Sequence, residues 1–245
     1  MAGVYGPLLA NGTVIVPSLA DVGLGGSSSI DVERLLACIS LHDPESLILV
    51  PEILRVLTIA AERGWRPPTS LRFVAVGGSR VAPELIDKAR GVGLPVYEGY
   101  GLSECGSVVS LNVVGHTRTG TAGRALPHAR LDIDDGEIIV RGSAMLGYVD
   151  QPESWNPREI RTGDLGHIDS DGFVHIDGRA SNLLITSFGR NISPEWVESE
   201  LLAGPLLAQA VVVGDARPWC AALVYGTAAS SSDADIGAWI QQVNQ

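Results

Sequence analysis

The sequence predicts an α/β fold in three parts: a parallel α/β sheet to about residue 106, an antiparallel β-rich part over 107–177, and a small α+β lobe over 178–245. Three observations carry this. Short apolar runs alternate with helical runs in the first part, as in parallel sheets covered on both faces. Asp135-Gly136 and Asp171-Gly172 each separate two alternating runs in the second part, a strong hairpin signal. Helical and strand patterns return together after Gly178.

Residues up to Ala10 read as the tail of a helix, stopped by Asn11-Gly12. Thr13 to Pro17 (TVIVP) reads as a short buried strand, and Gly23 to Ser29 as a Gly/Ser loop. A helix is predicted over Ile30 to Ser40, with Ser29 or Asp31 as its cap. SLILV (46–50) is a strand, and Pro51 opens a helix reaching Arg63. LRFVAV (71–76) is a strand leading into Gly77-Gly78-Ser79. Pro83 to Arg90 is a helix and Leu94 to Tyr97 a strand, after which a glycine-rich loop is expected. The β-rich part offers Ala129 to Ile133, Glu137 to Val140, Gly166 to Ile168 and Phe173 to Ile176. In the last part, a hairpin in LLITSFGRNIS precedes a helix from Pro194 capped by Ser193. AQAVVVG and CAALVY are strands. A Ser/Ala/Asp-rich loop precedes a helix over Asp233 to Val243.

The chain has 245 residues, 45% of them hydrophobic, which suits a filled core. A net charge of -11 argues against a nucleic-acid or anionic-membrane partner. It leaves room for a nucleotide, since backbone N–H groups bind phosphate on acidic proteins too. The three cysteines, Cys38, Cys105 and Cys220, show neither a disulfide framework nor metal spacing, so a cytoplasmic location is expected. No apolar run approaches a membrane span, and no signal peptide is read.

Two stretches hold the chemistry: YEGYGLSE (97–104) and the run from Arg161 to Glu198, which contains Thr162-Gly163-Asp164, Asp177-Gly178-Arg179 and SFGRNISPEWVE. A serine hydrolase would need G-x-S-x-G, and G-L-S-E-C-G does not supply it. His167 and His175 sit on hairpin positions without the spacing of a helical metal pair. Taken alone, Thr-Gly-Asp is a plain turn and Gly-Gly-Ser a tight strand-to-helix turn.

Together the two stretches resemble the adenylate-forming, AMP-binding ligases: acyl-CoA synthetases, luciferases and peptide-synthetase adenylation domains. GEIIVRGSAMLGY (136–148) resembles a structural hairpin of that family. The resemblance implies that Tyr100 stacks on adenine, with Gly101 letting the backbone approach the nucleotide. Ser103 would contact the α-phosphate and Glu104 would hold Mg²⁺, making these two the expected catalytic residues. Gly77, Gly78 and Ser79 would line the adenine and part of the acyl pocket. Asp164 would accept from both ribose hydroxyls of ATP or AMP, as a two-oxygen carboxylate can, and Arg179 would contact ribose or phosphate. SFGRNISPEWVE would help line a coenzyme A tunnel. The partners implied are ATP, Mg²⁺, a small-molecule carboxylate, fatty acids first, and coenzyme A.

The departures from the family are equally specific. Ser181 stands where the family hinge has Asp or Lys. No Ser/Thr/Gly-rich phosphate loop ending in Pro-Lys is found. The only lysine is Lys88, on a predicted helix, where the catalytic lysine is not expected. These departures predict an incomplete sheet and an internal piece of a longer ligase, inactive alone. The alternative is a non-catalytic, truncated or degenerate nucleotide-binding module.

Overall fold

A computed structural model describes residues 2–25, 30–227 and 232–244. Helix α1, Ala2–Leu9, ends at Asn11, whose φ of 61° is left-handed, with the Gly12 N–H on the Pro7 carbonyl. Residues 12–18 form no strand: Ile15 is 45% and Val16 79% exposed. The expected TVIVP strand fails because no segment among the described residues pairs with it. It lies instead along the Cys38 and Leu41 side of the next helix. Ser29, most of the Gly/Ser loop and most of the Ser/Ala/Asp-rich loop lie outside the described residues.

That helix, α2 (Val32–His42), is capped by Asp31, whose carboxylate accepts from the Arg34 N–H at 3.1 Å. Strand β1 (Ser46–Leu49) leads to α3 (Pro51–Glu62), which buries Leu54, Leu57, Thr58 and Ala61, one face at helical spacing. Strand β2 (Phe73–Val76), helix α4 (Pro83–Gly91) and strand β3 (Val96–Leu102) follow. Strand β3 does not stop near Tyr97 as expected. It runs on through Tyr100 because an antiparallel neighbour, β4 (Ser107–Leu111), satisfies it, with a register shift between Tyr100 and Gly101. Gly101 is required there, since a Cβ would lie 1.7 Å from the Ser107 carbonyl oxygen.

With β5 (Arg124–Ala125), these strands make a five-stranded sheet in the order β1-β2-β3-β4-β5, parallel from β1 to β3 and antiparallel beyond. The sheet therefore continues across residue 106. Helices α2, α3 and α4 seal one core against it, around Leu54, Leu57, Val74, Ile86 and Val96.

Strands β6 (Arg130–Asp134), β7 (Glu137–Arg141), β8 (Glu159–Ile168) and β9 (Val174–Arg179) form an antiparallel sheet in sequence order. Its inner residues Leu131, Ile138, Val140, Ile160 and Val174 pack with Cys105 and Val109 of the first sheet region, and Tyr100 lies against them. The small lobe holds the hairpin β10 (Leu184–Ile185) and β11 (Asn191–Ile192), helix α5 (Pro194–Leu202), the pair β12 (Leu207–Val213) and β13 (Ala221–Gly226), and helix α6 (Asp233–Val243). Ser193 caps α5 as expected, though its hydroxyl donates to Glu195 at 3.0 Å rather than accepting from the helix. Ala203 of this lobe is buried in the α/β core, and Arg55 of α3 donates to the carbonyl of Leu207 at 2.5 Å. Arg55 also reaches the carbonyl of Leu202 at the end of α5, at 3.4 Å, and Glu84 of α4 meets Glu200 of α5, so an apolar residue, a cation and a carboxyl pair all dock the lobe.

Candidate functional site: a cleft between three parts

A cleft of about 670 Å³ opens where the first sheet, β8–β9 and α5 meet. Gly78, Ser79, Tyr100, Gly101, Asp164 and Arg179 line it, six of the nine positions the sequence selects. Gly77, Ser103 and Glu104 are not among its lining residues.

Thr162-Gly163-Asp164 is not a turn: it lies within β8, where Asp164 pairs across the sheet with Arg179 of β9. That register explains why the two motifs act together. Arg179 Nε donates to Asp164 Oδ1 at 2.8 Å, and Tyr100 Oη donates to Asp164 Oδ2 at 2.6 Å. The Asp164 side chain is only 8% exposed while that of Arg179 is 55% exposed. Burial first, then the Asp164 carboxylate it donates to, pushes the Tyr100 phenol above its ordinary range. The same carboxylate raises Arg179. Each Asp164 oxygen keeps a further acceptor site, which matches a vicinal diol.

Sequence reasoning missed three cleft residues. Glu98, in β3, has an Oε2 sealed from solvent with no hydrogen-bond partner, and burial pushes its carboxyl up to about 8 against the pull of Arg80 and Arg90. Arg80 donates to the Ile176 carbonyl at 2.8 Å, but its Nε is sealed and unpartnered. Arg55 is the third, its guanidinium lowered by burial. Glu98 sits within the motif itself and could have been flagged as a carboxylate on an otherwise apolar strand; Arg55 and Arg80 carried no signal.

Glu104 stands beside the cleft on a short 3₁₀ turn, Ser103–Cys105, where Tyr148 Oη donates to its Oε1 at 2.8 Å. Its Oε2 has no hydrogen-bond partner among the described residues. No group of three or more metal-ligating side chains occurs among those residues. One carboxylate with a vacant oxygen fits Mg²⁺, which commonly takes one or two carboxylates together with phosphate oxygens and water. His167 and His175 are cross-strand neighbours with rings stacked at 4.4 Å, and each pairs with its own aspartate, Asp177 and Asp169. Lys88 is exposed on α4 and outside the cleft. No helix among the described residues is long and apolar enough to cross a membrane.

A mixed sheet, an antiparallel sheet and a docked lobe around a Tyr–Asp–Arg cleft define the class. The model of the AMP-binding enzyme family matches residues 1–149, and the chain belongs to that family. It is 40% identical over 159 residues to a long-chain-fatty-acid–CoA ligase of Mycobacterium tuberculosis, covering 62% of this chain and 26% of the relative. It is 31% identical over 200 residues to the 2-succinylbenzoate–CoA ligase of Bacillus subtilis, covering 75% of this chain and 40% of that enzyme. Its structure resembles that of O-succinylbenzoate coenzyme A synthetase from Bacillus subtilis in complex with AMP, with a TM-score of 0.74 and 26% identity over 97% of this chain and 50% of that one. The chain spans between 26% and 40% of the length of these two curated relatives.

Proposed function

We propose that this chain carries the nucleotide-binding centre of a carboxylate–CoA ligase that uses ATP to activate a carboxylic acid, fatty acids first. The observation that carries this reading is Asp164 held between Tyr100 and Arg179 at one cleft. The identity shared with a fatty-acid–CoA ligase supports the fatty acid.

In this reading, the Tyr100 ring packs on adenine and Asp164 accepts from the ribose hydroxyls through its remaining lone pairs. Arg179 offers the guanidinium donors it does not use on Asp164. Ser103 approaches the α-phosphate with a small hydroxyl. Glu104 would hold Mg²⁺, which would supply neutralisation of phosphate charge. The substrate carboxylate attacks the α-phosphorus and pyrophosphate leaves; the thiol of coenzyme A then attacks the acyl carbon of the acyl-adenylate, AMP leaves and the thiol gives up its proton. Gly78, Gly99 and Gly101 line the same cleft.

A second reading has one observation in its favour. Lys88, the only lysine, is exposed away from the cleft, so no ammonium meets the charge that builds when carboxylate attacks phosphate. The 245-residue chain by itself should therefore bind AMP weakly and show no carboxylate-dependent ATP–pyrophosphate exchange. Exchange by this chain would assign the charge work to Arg55, Arg80 or Arg179. Absence of AMP binding in calorimetry would remove the nucleotide reading altogether.

A further inference from the structure

The loop after β7 is built as a brace. Ser143 Oγ donates to the Cys105 carbonyl at 2.6 Å, and the Met145 N–H donates to the Glu104 carbonyl at 2.6 Å. Gly147 then takes a φ of 143° beneath Trp155, where a Cβ would lie 2.3 Å from the indole Cδ1. Trp155 Nε1 donates to the Tyr148 carbonyl at 3.0 Å, and the Tyr148 N–H donates to Ser154 Oγ at 2.8 Å. The Asn156 N–H closes the loop on the Leu146 carbonyl at 2.8 Å. Both backbone polar groups of Tyr148 are thus tied locally, although the residue is 45% exposed. Its one long-range side-chain bond runs to Glu104 Oε1, 44 residues earlier in the chain.

We propose that Tyr148 is the positioning residue for Glu104: its phenol holds Oε1 and leaves Oε2 as the oxygen available to a divalent cation. This rests on the reading of Glu104 as the Mg²⁺ ligand. A glutamate on a three-residue turn has free side-chain torsions, and a carboxylate that samples rotamers is a poor ligand for a cation demanding near-octahedral geometry. Three bonds from residues 143–148 act on that turn. Two fix its backbone and the third fixes the carboxylate. Partners of ligating carboxylates act by orienting them, not by touching the cation.

The test compares ATP binding to the 245-residue chain with and without Mn²⁺, a spectroscopic substitute for Mg²⁺, in wild type, Tyr148→Phe and Glu104→Gln. Calorimetry gives the affinities and the Mn²⁺ resonance signal reports coordination. Tyr148→Phe should lose about 10–100-fold of the metal-dependent affinity and alter the Mn²⁺ signal, while AMP affinity without metal and the melting temperature stay in place. If Glu104→Gln abolishes the metal dependence and Tyr148→Phe keeps it, the Tyr148 proposal alone is overturned. If Tyr148→Phe lowers melting temperature and AMP affinity together, its role is structural and the proposal is again overturned. If wild type gains nothing from Mn²⁺, or Glu104→Gln keeps the gain, the metal reading of Glu104 fails and Tyr148 falls with it.

Discussion

Asp164 and Glu98 line the same cleft and differ in how their oxygens are met. Each Asp164 oxygen has a donor, from Tyr100 and from Arg179. Glu98 has two arginines nearby and no side-chain hydrogen bond from either. Arg90 instead turns its donors to the Val96 carbonyl and to Thr117 and Thr119, while Arg80 points one nitrogen at Ile176. For Glu98, burial then outweighs the attraction of both cations. Proximity to a cation does not keep a buried carboxylate ionised unless a directed hydrogen bond replaces the water it lost.

The largest effect should come from removing the satisfied carboxylate. Asp164→Ala should weaken AMP binding by roughly 1.5–3 kcal/mol, the range for hydrogen bonds to a charged group. Equal affinity of wild type and mutant in calorimetry would reduce Asp164 to a strand residue and dissolve the contrast. Next is Glu98. Its carboxyl holds a proton more tightly folded, at about 8, than at its ordinary value of 4.5, so the folded chain binds more protons over that interval. Its stabilising contribution is full below about 4.5 and is lost as pH rises through about 8. Glu98→Gln should flatten that decline in urea melts taken across this interval, and an unchanged slope would mean that Glu98 finds a partner in solution. The smallest effect is expected from Tyr100→Phe. The ring remains and Asp164 keeps Arg179, so the AMP affinity should fall by only about 0.5–1.5 kcal/mol, the net worth of one typical hydrogen bond. A loss matching that of Asp164→Ala would show that the phenol, not the arginine, fixes the carboxylate.

Much of the fold was legible because period and punctuation agree. The α3 face at Leu54, Leu57, Thr58 and Ala61, the Asp135-Gly136 hairpin, and α6 over Asp233–Val243 all follow from local pattern. The misreadings share a cause: strand formation is decided by a partner distant in sequence. TVIVP has strand composition but no strand partner among the described residues. YEGYGL has loop composition, yet β4 draws it into a sheet. In the site, Tyr100, Asp164 and Arg179 were readable from motif letters and are joined in space. Arg55 and Arg80 were not, because an arginine on a helix or after a glycine turn reads as a solvated charge until its carbonyl partner is known.

The floor of the cleft sets a limit on how such a site can be altered. A Cβ at Gly99 would lie 2.7 Å from the Leu111 side chain and 3.1 Å from the Ser110 carbonyl oxygen, and one at Gly101 would lie 1.7 Å from the Ser107 carbonyl oxygen. Gly101 is closed by main chain, while Gly99 is closed by the Leu111 side chain and, less tightly, by the Ser110 carbonyl. The outline of the floor is inherited with the sheet and is shared by every ligand that enters. Diversification toward a new ligand must therefore come from the walls, from Arg55, Arg80 and Glu98. A saturation library over the cleft should reject substitutions at Gly101 most strongly and at Gly99 less so.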